Sequence, residues 1–141
     1  MVMRGLIVVV ILLSLPGQVR AEVRLGRTTM SFATVEEGKR VLTSRDDYVE
    51  RMSAFDRAAR LKTDKVVPER EYLEFVGKNV VAWEEAEKEK IYLAMEGVEE
   101  VLKKMALPFP EKIWLIKTTG KEEGNAAYTR ANAIVFPRSF L

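Results

Sequence analysis

Among the 141 residues there is no histidine and no cysteine. That removes every imidazole base, His-containing triad, thiolate nucleophile, disulfide and nitrogen- or sulfur-ligated zinc site from the chemistry of these residues. Three groupings remain. Glu84-Glu85-Ala86-Glu87-Lys88-Glu89-Lys90 concentrates carboxylates and amines, but Glu84 and Lys88 stand at i, i+4 spacing, the pattern of a solvated helix face. Thr119-Gly120-Lys121-Glu122-Glu123-Gly124 is a polar loop with glycines near both ends. Its glycine and lysine order is wrong for a phosphate loop, and no helix follows. Asn125-Ala126-Ala127-Tyr128-Thr129-Arg130 is an extended segment with small side chains, which leaves its backbone accessible for pairing with a peptide by strand addition. No residue is assigned a catalytic or metal-ligating role, and no EF-hand spacing occurs.

The elements that must position that segment are legible around it. Ile113 and Leu115 alternate with Trp114 and Ile116, and Ile134-Val135-Phe136 behaves likewise, so both strands are apolar on both sides. A sheet of such strands needs a layer on each face. Upstream, Thr43-Ser44 is expected to open a helix capped by Ser44, with Tyr48, Met52, Phe55 and Ala59 as its buried stripe. Pro68 suits the start of a second helix that turns Tyr72, Phe75 and Val76 inward. A third, from about Glu84 to Met105, carries Ile91, Ala94, Met95, Val98, Val101, Leu102 and Met105 at the 3.6-residue period, all expected to be buried. The stretch from Glu22 to Arg40 supports no single assignment. The expectation is an α+β domain: three helices, then a small mixed sheet ending in an exposed edge strand. One obvious helix covers one face of that sheet, so a following segment is expected to cover the other.

At the N-terminus, Arg4, the apolar run from Leu6 to Leu15, the Pro16-Gly17 break and Val19-Arg20-Ala21 follow the layout of a secretory signal. Cleavage after Ala21 would leave residues 22–141 as one domain, exported to a periplasmic or extracellular space, with no stable membrane span; the alternative is an uncleaved membrane anchor. Of 23 basic residues the signal takes Arg4 and Arg20, leaving 21 against 21 acidic ones. The mature chain is therefore neutral, and no basic patch points to nucleic acid.

The strand, the loop, Asn125-Ala126-Ala127-Tyr128 and the apolar strand Ala133 to Phe136 together resemble the lower sheet of zincin-type zinc metallopeptidases. They look like the region upstream of the catalytic helix in secreted bacterial proteins with a gluzincin-like domain. The resemblance is clearest over residues 112–137. It implies a substrate-binding edge strand, with Asn125, Ala126 and Tyr128 meeting an extended peptide or protein. It also implies a His-Glu-x-x-His helix after Leu141 that would hold zinc. No cofactor is expected within this chain, which departs from the pattern in having no histidine and is expected to be inactive alone. On this reading it is the exported N-terminal part of a metallopeptidase-like protein, supplying scaffold and edge strand. The alternative is a complete, non-catalytic exported module that pairs with a protein partner through the same edge.

Overall fold

The computed structural model describes residues 21–105, 110–121 and 126–141. The chain opens with a hairpin, β1 (Glu22–Leu25) and β2 (Thr28–Phe32), in the stretch that the sequence leaves unassigned. Gly26 turns it with φ +62°, a conformation open to glycine at no steric cost. Four helices follow: α1 (Val35–Leu42), α2 (Asp47–Arg51), α3 (Ala54–Arg60) and α4 (Glu69–Lys78). Then come α5 (Glu85–Met105), β3 (Lys112–Thr118), β4 (Tyr128–Arg130), β5 (Ala133–Pro137) and a single 3-10 turn, Arg138–Phe140. The class is α+β, as the sequence leads one to expect.

The single long helix expected from Ser44 is instead split. The Ser44 hydroxyl donates to the carbonyls of Arg40 and Val41, so it closes α1 and opens nothing. Asp46 caps α2 through the Val49 N–H, and Ser53 caps α3 in a reciprocal box with Asp56. The break at Met52 and Ser53 rotates the stripe: Met52 is buried while Phe55 is 82% exposed.

The strands join in one sheet of order β1-β2-β3-β5-β4. β2, β3 and β5 run parallel, while β1 and β4 are antiparallel strands at the two edges. Where β2 ends, the segment Asn79–Val81 takes over the same side of β3: Val81 N–H donates to Lys117 O and Thr119 N–H to Asn79 O.

Both faces of the sheet are covered by this chain. Ile116, Ala133 and Val135 pack under α1 to α4 with Leu42, Tyr72 and Val76. Ile113, Leu115, Met30 and Phe136 pack on the other side with Trp83 and Ile91 of α5. Trp83 sits edge-on to Phe32 and Phe136 at 5.1 and 5.6 Å, and its indole N–H donates to Leu115 O. This corrects the expectation of a face left for a following segment to cover, because α1 to α4 and α5 take opposite faces.

α5 has the expected length and too few contacts for its stripe. Ile91 is buried and Met95 half-buried, but Ala94, Val98, Val101 and Met105 are exposed. The Leu102 side chain and residues 1–20 of the expected signal lie outside the described residues. Among those residues no helix is long and apolar enough to cross a membrane.

Candidate functional site

The candidate site is built on β4, the short strand that closes the sheet on one side. Its register with β5 is Tyr128 to Val135, Thr129 to Ile134 and Arg130 to Ala133. The two are joined by Ala131 and Asn132, with Ala131 at φ +49°. In a two-residue hairpin the closing pair, Arg130 and Ala133, exchanges both hydrogen bonds, and the pattern then alternates. Tyr128 therefore faces β5 again, whereas the N–H and C=O of Thr129 point to the open side. No described strand pairs there.

Of the residues expected to meet a substrate, Ala126 is exposed immediately ahead of β4. Tyr128 begins the strand, half-buried, and packs against the cluster beneath α1 to α4. Asn125 lies outside the described residues. Thr129, exposed and facing the open edge, goes unnamed in the sequence reading. The signal for it is the Ala131-Asn132 turn, which fixes the phase of the ladder.

Arg130, which on an edge would ordinarily point outward as a guard, is instead 2% exposed. Its Nη2 donates to Ser44 O at 3.2 Å, and its Nε lies 3.4 Å from the Asp46 carboxylate. The guanidinium stands over the Tyr48 ring at 5.5 Å, leaving Nη1 without a hydrogen-bond partner among the described residues. Burial raises the Tyr48 phenol above its ordinary pKa, against the opposing pull of Arg60 and Arg130. The effect is to pin β4 to the loop between α1 and α2. Beside this anchor lies an open hollow of about 640 Å³, bordered by Tyr48, Arg51, Arg60 and Ala131.

A second charged device holds the other layer. Lys117 Nζ, buried on β3, donates to Glu87 Oε2 at 2.6 Å. The same oxygen accepts the Glu84 N–H at the start of α5. Burial pushes the Glu87 carboxyl upward, but the hydrogen bonds from Lys117 and Glu84 and the charges of Lys117 and Arg138 outweigh it. The net pKa is lowered. The acid-base run of the sequence thus supplies one partner, Glu87, of a structural ion pair and is otherwise largely a solvated face.

Zinc does not fit the residues present. The chain has neither histidine nor cysteine, and no group of acidic side chains among the described residues is arranged to hold a metal. Comparison with known proteins finds no family model, no curated protein and no solved structure that matches this chain.

Proposed function

We propose that this chain is the scaffold and substrate-binding part of an exported zinc-peptidase-like protein, binding an extended peptide by strand addition along β4. The observation that carries the reading is the position of β4: an antiparallel edge strand with the Thr129 N–H and C=O directed outward. The resemblance of residues 112–137 to the zincin lower sheet implies a substrate-holding strand at this place. Binding would come from main-chain hydrogen bonds at Thr129, with Ala126 offering little steric hindrance. No hydrolytic step is assigned to these residues. Any zinc ligands of the peptidase type would have to come from outside residues 1–141.

The coverage of both sheet faces by α1 to α4 and α5 favours a second reading, a non-catalytic module that binds a protein partner through the same edge.

Thr129→Pro tests what the two readings share. Proline deletes one N–H, and at this position that donor belongs to the open side, so the ladder with β5 keeps its bonds. Binding of a fluorescent extended-peptide library should fall at least about fivefold, given a net worth of about 1 kcal/mol or more for a lost main-chain bond. The far-ultraviolet circular dichroism should not change. Unchanged binding would remove β4 as the site. The coding sequence beyond Leu141 then separates the readings: a His-Glu-x-x-His helix there supports the peptidase, and a stop codon supports the module.

A further inference from the structure

We infer that β1, at the opposite edge of the sheet, is a self-association edge at which two copies of this chain pair their β1 strands antiparallel into one continuous sheet.

The argument starts from the phase of the first hairpin. The two-residue Gly26-Arg27 turn closes on the pair Leu25 and Thr28, and the register next sets Val23 against Met30 as the following hydrogen-bonded pair. Residues 23 and 25 therefore face β2, while the N–H and C=O of Arg24 and the C=O and amino group of Glu22, the first residue after the expected cleavage, face outward. Among the described residues nothing pairs with that side. The side chains of Glu22 and Arg24 are also exposed, while Val23 and Leu25 are buried on the other face.

A two-fold axis through Val23 places Glu22 opposite the partner's Arg24, and Arg24 opposite the partner's Glu22. Both are pairs of outward-facing residues, so each exchanges its two main-chain hydrogen bonds. Each also brings opposite charges together on one face of the joined sheet. Slipping the register by one pair sets Glu22 against Glu22, and slipping it the other way sets Arg24 against Arg24. Both alternatives oppose like charges, so charge selects the register and the orientation. The interface is the same patch on both copies, as a two-fold dimer requires.

A four-residue strand supplies less surface than the ~1,200 Å² of a standard stable interface. Two hollows flank the edge. One of about 650 Å³ lies between β1 and Tyr92 and Glu96 of α5, and another of about 650 Å³ is bordered by Arg27, Thr29 and Lys112. The dimer is correspondingly weak and concentration-dependent. Within the described residues the Ser31 hydroxyl donates to Glu22 Oε1 across a long 3.4 Å.

Sedimentation velocity of the purified protein over a concentration series tests this. The wild type should pass from one chain mass to two. Glu22→Arg and Arg24→Glu each convert both pairs to like charges, and each should weaken association roughly tenfold or more. The double exchange, Glu22→Arg with Arg24→Glu, restores both pairs and should restore the dimer. Thr129→Pro, on the far edge, should leave it unchanged. A wild type that stays monomeric overturns the inference. So does a dimer indifferent to the single exchanges, one that the double exchange fails to rescue, or one lost in Thr129→Pro. Association through any other part of the chain would not follow the charge exchange.

Discussion

Removing either end of the Lys117–Glu87 pair should have unequal consequences, and the inequality can be worked from the geometry. The Lys117 side chain is 1% exposed and the Glu87 side chain 14%. Glu87→Gln leaves a buried ammonium without its counter-charge, a change that typically costs about 3–5 kcal/mol. The Gln amide oxygen can still accept from Glu84 and Lys117, which places the expected loss near 3 kcal/mol. Lys117→Met removes the ammonium and keeps the hydrocarbon stem. Glu87 then retains the Glu84 N–H, a small exposure to water and the field of Arg138. Its expected cost is about 1–2 kcal/mol. The double variant should lie close to Lys117→Met alone, giving a coupling of about 2–3 kcal/mol. Urea unfolding at pH 7 with unchanged m-values measures all three. A Glu87→Gln loss no larger than that of Lys117→Met, or simple additivity, would refute the view that the pair is a desolvated unit holding α5 to β3.

The same pair sets a pH dependence. Glu87 has a lowered folded pKa, so its contribution is fully present above the ordinary glutamate value of about 4.3 and is lost as pH falls through the lower folded value. The stability gap between wild type and Glu87→Gln, followed by urea titration, should narrow below about pH 4; a constant gap would contradict the assignment. Gly38→Ala should destabilise, since an added Cβ would stand 2.8 Å from Val80 Cγ1 and 3.2 Å from Ile116 Cγ2. The overlap should outweigh a helix-propensity gain of about 1 kcal/mol and leave a net loss of about 1–2 kcal/mol, read as a lower Tm. Met52→Ala should cost about 2–5 kcal/mol and Phe55→Ala less than about 0.5, measured by the same unfolding curves. Equal losses would restore the two residues to one buried stripe.

Periodicity located β3, β5 and α5 because each is long or densely apolar enough to impose its period. It failed between Glu22 and Ser53 for identifiable reasons. β1 alternates over only four residues, and β2 carries Thr28 and Ser31 among its buried positions. Tyr48, Met52 and Phe55 match a helical stripe, yet Ser53 can cap a new helix, and the local capping box with Asp56 prevails over the continued period. For α5 the sequence reveals that an apolar stripe exists and is silent on what covers it. Val98, Val101 and Met105 keep the 3.6-residue spacing and remain exposed because the sheet meets only the first half of the helix. At the candidate site the small side chains of residues 126 and 127 pointed to an accessible strand. The outward residue, Thr129, follows from the phase of a turn and not from any property of threonine.

The two edges of the sheet use charge in opposite ways. An edge strand is ordinarily kept from pairing by side chains that hold charge in the path of an incoming strand. On β4 the one charged residue, Arg130, is withdrawn beneath Tyr48 and bound to Ser44 and Asp46, so its guanidinium fixes the strand's position and does not obstruct its outer side. On the proposed reading, recognition would rest on the main chain at Thr129, and such an arrangement would tolerate whatever sequence an extended peptide brings. On β1 the charges of Glu22 and Arg24 stay outward and alternate in sign. In the inferred dimer that pattern would repel a strand of the wrong charge order and accept one of the same sequence running the other way. A general edge and a self-selective edge on one five-stranded sheet would let the protein bind a peptide at one side without surrendering the other to it.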